Sequence, residues 1–261
     1  MKQLVISPTF PHSYHTFVTR EIAESLKRGI DVVILAPGPG DDEGIPLAQD
    51  LGIGMDRVIY ANVEDSPIFS PNPKRWMKSV SRCANKAVYG RVLAEKRKTF
   101  FAKLLSDPRM RDIDLIHSHF AGWSYDIALP LSRLLHVPFI VVAHDGHLKK
   151  HPNYLFQELQ REANAISCPS QAWIDTWASK TGYKDKLVKI PNAINVHEFQ
   201  DIELKAKNME ITMLTTARLI PAKRVADGIK VVNQLSQKGV KLHYKIIGGG
   251  DDLDKLKSLV T

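Results

Sequence analysis

Residues 114–147 read D-L-I-H-S-H-F-A-G-W-S-Y-D-I-A-L-P-L-S-R-L-L-H-V-P-F-I-V-V-A-H-D-G-H, and this stretch decides the fold. Asp114–His117 is a short strand-like run. Ala121–His136 carries apolar residues at helical spacing. Val137–Ala143 is a buried strand of branched and aromatic residues. A helix between two strands returns the chain to its starting edge, so the strands run parallel. The second strand ends on His144, Asp145, Gly146 and His147. In open parallel sheets such strand-end loops are where ligands bind.

The alternation extends in both directions. Upstream, strands at Lys2–Ser7 and Asp31–Ala36 flank a helix at Phe17–Lys27 that Gly29 ends, and Arg57–Asn62 is a further strand. Downstream come helices at Asn153–Asn164 and Gln171–Lys180, with strands at Ala165–Cys168 and Leu187–Ile190. A second run begins near Glu210: strand Ile211–Thr216, helix Ala222–Lys238, strand Leu242–Ile247, helix Asp251–Val260. Uninterrupted apolar strands fit sheets covered on both faces. The expected class is α/β, doubly wound, with six or seven strands in a first domain at 1–195. Residues 196–208 lack an apolar period and read as a linker. Residues 209–261 hold only two strands and two helices, a poor independent core, and predict a partial second domain.

Composition excludes several classes. The 261 residues are 44% hydrophobic and 25% charged, which rules out a disordered or low-complexity chain. Two cysteines, Cys83 and Cys168, make neither a disulfide framework nor a four-ligand zinc site, and suit a reducing compartment. The sequence shows no membrane-length apolar run and no signal-peptide core, so the expected location is the cytoplasm. The net charge of +8 is concentrated: Lys74–Leu105 holds ten basic residues and one acid, Glu95. There Trp76, Val80, Ala84, Ala87 and Val88 form a helical apolar stripe, and Lys78, Arg82 and Lys86 lie opposite. This pattern suits an ordinary helix with a solvated basic face. It equally suits an interfacial helix on anionic lipid, which adds the inner face of the membrane as a place of peripheral association. Nucleic acid is not expected as a partner, because the basic residues accompany no binding motif.

Four loops carry candidate chemistry. After the first strand, S-P-T-F-P-H-S-Y-H-T-F offers histidines and hydroxyls but no dinucleotide fingerprint; its plain reading puts Ser13 or Thr16 near a helix cap. His117 and His119 alternate on a strand end. They could be metal ligands, but no third ligand stands nearby, and the plainer reading is of hydrogen-bonded, partly buried histidines. His144, Asp145 and Gly146 sit directly after the apolar strand and suit phosphate or sugar contact, since Gly146 lets a ligand approach the backbone. In T-T-A-R-L-I-P-A-K-R, Arg218 leaves the strand and Lys223 and Arg224 stand at the start of a helix after Pro221, where cations and free N–H groups suit phosphates. A solvated basic helix start is the alternative. The Gly-rich turn I-I-G-G-G-D-D is weak by itself.

Taken in order, these segments resemble family 4 of the retaining glycosyltransferases with the GT-B fold, as found in bacterial polysaccharide assembly. F-P-H-S-Y-H-T-F looks like the family's N-terminal F-P-x-x-S-E-T-F, D-L-I-H-S-H-F its I-H-A-H-F strand, and V-V-A-H-D-G-H its histidine loop. I-P-N-A-I-N-V-H-E-F is similar to the domain junction, A-R-L-I-P-A-K-R to the phosphate-binding G-R-L-x-x-x-K-G, and K-I-I-G-G-G-D-D to the strand and turn that follow. The resemblance implies two Rossmann-like domains facing a cleft, the first for the acceptor and the second for a nucleotide sugar. It implies His144 at the transferred sugar and Thr16, His119 and Asp145 on the acceptor side. Arg218 and Lys223 would hold the donor diphosphate, and Gly248, Gly249 and Gly250 would lie near the nucleotide. No cofactor and no metal is expected, because the cations do a metal's work. The sequence departs from the family at His15, Ala193, Asn195 and Arg224, and the family's two glutamates with seven residues between them are not among these 261 residues. The expectation is a glycosyltransferase acting on a saccharide or lipid-linked acceptor, truncated at its C-terminal side. The alternative is a non-catalytic acceptor- or membrane-binding fragment, or one subunit of a split enzyme.

Overall fold

The structure, a computed structural model, describes residues 1–61, 86–144, 153–199 and 211–260. The chain forms two units, Met1–Ile194 and Asn195–Thr261.

In the first unit the strands are β1 (Lys2–Ile6), β2 (Thr9–Phe10), β3 (Asp31–Ala36), β4 (Gly38–Pro39), β5 (Val58–Tyr60), β6 (Leu115–His119), β7 (Phe139–Val142), β8 (Ala165–Cys168) and β9 (Leu187–Lys189). Seven of them make one parallel sheet in the order β5-β3-β1-β6-β7-β8-β9, and β2 pairs with β4 in a separate two-stranded sheet. Helix α1 (Thr16–Lys27) ends where the positive φ of Gly29 turns the chain into β3. It is followed by α2 (Ile45–Asp50), α3 (Lys86–Leu105), α4 (121–135), α5 (Asn153–Glu162) and α6 (Gln171–Thr181).

Each central strand alternates between two cores. Val5, Val32, Ile34 and Ala36 pack under α1 with Val18 and Ile22. Leu4, Ile6, Val33, Leu35 and Ile116 face the opposite core with Phe139, Phe156 and Trp177. Fully buried Leu and Ile side chains of this kind contribute about 1.5–3 kcal/mol each. Both faces are covered, which is why the strands read as unbroken apolar runs. The chain builds outward from β1 to β3 and β5, then returns to the other side of β1 at β6. The topological switch point therefore lies between β1 and β6, and it is there that ligand sites form in such sheets.

The expected helix at Ala121–His136 ends at Leu135, and its middle, Ser124–Ala128, is wound as π-helix. Of the basic segment, Trp76, Lys78, Val80, Arg82 and Ala84 lie outside the described residues. Lys86, Ala87 and Val88 begin α3, whose far end buries Phe101 and Leu104 against the sheet. Among the described residues, no helix is long and apolar enough to cross a membrane.

The second unit pairs β10 (Ile211–Thr216) with β11 (Leu242–Ile247) in parallel, in register from Ile211–Leu242 to Thr216–Ile247. Helices α7 (Val225–Gln237) and α8 (Leu253–Lys257) join them, and Leu219, Val225, Ile229 and Leu256 form the core. The opposite sheet face is bare, with Leu214 61% and Ile247 56% exposed.

Candidate functional site

A stack of histidines occupies the switch point. His117 and His119, two apart on β6, point to the face that α1 covers. Their rings stack at 4.9 Å between centroids, and His144 continues the stack on His119 at 5.3 Å. His144 follows the end of β7 and is half-buried, whereas His119 is fully buried. Nδ1 of His119 lies 3.2 Å from Nε2 of His144. Nδ1 of His117 lies 2.9 Å from the side-chain amide of Gln3 on β1 and 3.1 Å from Oε1 of Glu21 on α1. Among the described residues, Nε2 of His117 and of His119 is buried with no hydrogen-bond partner. Phe17 packs on the His144 ring at 4.4 Å and Phe120 at 5.5 Å, so two aromatic rings flank His144.

The cluster is electrostatically tense. Burial, with the neighbouring His144, pushes His117 down to about 4. Burial, with His15 nearby, does the same to His144, and His119 lies well below the ordinary imidazole value for the same reasons. Burial raises Glu21 to about 7, although 41% of its side chain still meets solvent. Unfolded imidazoles titrate near 6.5. Between about 6.5 and 4 the unfolded chain takes up protons that the folded histidines refuse, so stability present above 6.5 is lost as the pH falls. Glu21 acts oppositely: protonated up to about 7 when folded and only to about 4.3 when unfolded, it contributes stability at low pH that is lost as the pH rises. Three imidazoles outweigh one carboxyl over the shared range. We expect the thermal midpoint to fall on acidification from pH 6.5 to 4.5. His144→Gln should flatten that slope and Glu21→Gln should steepen it; an unchanged slope in His144→Gln would remove the stack as the cause.

The outer rim comes from the loop after β1. Asp41 accepts from the Ser13 hydroxyl at 2.6 Å and from the backbone N–H groups of Ser13 and Gly44, and its other close partner is Nδ1 of His12 at 2.7 Å. Those hydrogen bonds and His12 hold its carboxyl below the usual range. Ser13 is therefore engaged by Asp41 and does not cap α1. The cap position is His15, which makes no side-chain cap bond, and Thr16 is the exposed first residue of the helix. Asp145 lies outside the described residues.

In the second unit the loops after β10 and β11 are laced together. Ala217 N–H donates to Ile247 O at 3.1 Å, Leu219 N–H to Gly249 O at 2.7 Å, and Asp252 N–H to Leu219 O at 2.9 Å. Arg218 is exposed on the first loop and the Gly248–Gly250 turn forms the second. Lys223, expected at a helix start, instead closes a 3-10 turn at Pro221–Lys223, and α7 begins only at Val225. Between them Arg224 takes a left-handed φ of 53° and pairs with Asp227 at 2.6 Å.

The structure brings His119 together with His144, and joins the loop of Arg218 and Lys223 to that of Gly248–Gly250. Glu21 and Gln3 are functional candidates that the sequence reading passed over. For His117 and His119 the expectation that no third ligand stands nearby is corrected, because Glu21 does. Glu21 lies one helical turn after Phe17, which touches His144, and that i to i+4 spacing was the available signal.

A family model described as Glycosyltransferase Family 4 matches residues 15–198. Two curated relatives are each named putative colanic acid biosynthesis glycosyltransferase WcaL, from Salmonella typhimurium and Escherichia coli K12. They are 22% and 21% identical to this chain over 96% of its length. The chain spans 65% of the length of these relatives. Among solved structures, HepE of Anabaena, in complex with UDP and glucose, superposes with a TM-score of 0.62 at 15% identity, covering 99% of this chain and 64% of that one. TarM of S. aureus gives 0.64 at 12%, covering 99% and 74%. At these identities the likeness is one of fold, and it shows the GT-B type of α/β architecture.

Proposed function

The chain belongs to glycosyltransferase family 4, and from that premise we propose that it serves the transfer of a sugar from a nucleotide-sugar donor to a saccharide or lipid-linked acceptor in cell-envelope polysaccharide synthesis. The observation that carries the reading is His144 at the switch-point end of β7, framed by Phe17 and Phe120 and backed by His119 at 3.2 Å. A neutral imidazole there presents one polar edge between two apolar rings, which suits a sugar hydroxyl and ring face. Thr16 and, outside the described residues, Asp145 belong to the acceptor side in this reading, with His119 acting through His144. The relatives' name supports polysaccharide assembly, and the UDP and glucose bound to HepE support a nucleotide-sugar donor.

On the donor side, charge grows on the leaving diphosphate as the glycosidic bond to it breaks. Arg218 and Lys223 are placed on the loop after β10 to stabilise that charge, without a metal. The reaction retains the configuration of the donor sugar. The ten basic residues between Lys74 and Leu105 supply weak, salt-sensitive attraction to an anionic membrane surface in this reading.

The test is calorimetric titration of the chain with UDP and other nucleoside diphosphates, alongside product formation from a panel of nucleotide sugars. We expect binding with little turnover. The donor's sugar must be positioned as well as its phosphates, and the family's glutamate pair is not among these residues. Failure to bind any nucleoside diphosphate would overturn the donor assignment. Robust turnover would overturn the need for the glutamate pair.

A further inference from the structure

We propose that Glu21, His117 and His119 form a binding site for one divalent transition-metal ion of the Zn2+ class. The site shares His119 with the glycosyl-transfer reading, but its test does not depend on that reading.

The three residues each offer one ligand atom, and these atoms lie within 4.8 Å of one another. In a tetrahedral site with metal–ligand bonds of about 2.0–2.1 Å, ligand atoms stand roughly 3.3 Å apart. The gap to close is thus about 1.5 Å at most. In the proposed site this gap closes by rotation of the rings about χ2, a broad torsion, and by the Glu21 carboxyl leaving Nδ1 of His117 for the ion.

All three ligands stand on regular elements: two on adjacent same-face positions of β6, one on the helix packed over that face. The ring nitrogens are already divided between two tasks. Nδ1 of His117 meets the Gln3 amide and, at 3.1 Å, Oε1 of Glu21, and Nδ1 of His119 is held by His144. Metal-ligating histidines are commonly oriented in this way through the nitrogen that does not ligate. The other nitrogen, Nε2, is buried in both rings with no hydrogen-bond partner among the described residues, and such an orphan has a cost unless something else satisfies it. Two imidazoles and one carboxylate select a borderline ion such as Zn2+ over Mg2+ or Ca2+, which take oxygen ligands.

The experiment is calorimetric titration of the metal-stripped full chain with Zn2+, paired with thermal midpoints with and without the ion. We expect one Zn2+ per chain and a raised midpoint, because an ion that binds only the folded form stabilises it. Glu21→Gln and His119→Gln should each weaken binding at least tenfold and abolish the rise, while His243→Gln, on β11, should change neither. If His119→Gln does not fold, Glu21→Gln decides, since its side chain is partly exposed. Absence of saturable one-to-one binding, or unaltered binding by Glu21→Gln, overturns the site.

Discussion

Gly248→Ala is expected to weaken nucleoside-diphosphate binding by about 100-fold or more, the counterpart of about 3 kcal/mol. A methyl group at this position would stand 1.8 Å from the carbonyl oxygen of Ala217, and φ is 154°. The obstacle is backbone, so no side chain can swing away. Relief requires breaking the Ala217 and Leu219 hydrogen bonds that join the loop after β10 to the turn after β11. Arg218 then loses the position that the proposed donor assignment gives it. Gly249 is the matched control for folding, since its added methyl meets nothing within 4 Å. The measurement is calorimetry with UDP, with circular dichroism of both variants. Wild-type affinity in Gly248→Ala would mean that the diphosphate does not use these joined loops.

The second large effect is expected from removing Arg218 and Lys223 together. A charge-assisted hydrogen bond to phosphate contributes about 1.5–3 kcal/mol. Both side chains are exposed in the absence of ligand, so the lower end applies. Even so, the double change to Ala should weaken diphosphate binding at least tenfold, and raising the salt concentration should narrow the difference. Because neither side chain belongs to the core of the second unit, the fold should survive the change. Unchanged affinity would place the phosphates elsewhere.

Much of the fold was legible because each strand is a local apolar run and each helix a local period. The doubly wound class follows from that alternation, and His144 stood out as a polar residue directly after a buried strand. The strand order, by contrast, is written in no local window, so the switch point could not be located. Glu21 and Gln3 remained hidden for the same reason: they meet His117 across roughly a hundred residues. The π-wound middle of α4 has no signature in an apolar period that it leaves intact. Arg224 is instructive in another way. The family motif carries Gly there, and the structure keeps the left-handed backbone that Gly would take, with Arg in its place. The shape of the turn is preserved although the residue suited to it is not.

The central place of β1 has a kinetic consequence. Its partner β3 lies a short helix away, but its pairing with β6 joins Gln3 to Leu115 and closes a loop of more than a hundred residues. Pairings of such span are slow to nucleate, because chain entropy is lost before any contact compensates. The β1–α1–β3 segment is local enough to collapse early, while the imidazole stack acquires its Gln3 and Glu21 neighbours only when the distant strand docks. In a refolding experiment, suppression of imidazole protonation should therefore lag behind the appearance of helical signal, and the delay would time the closure of the sheet.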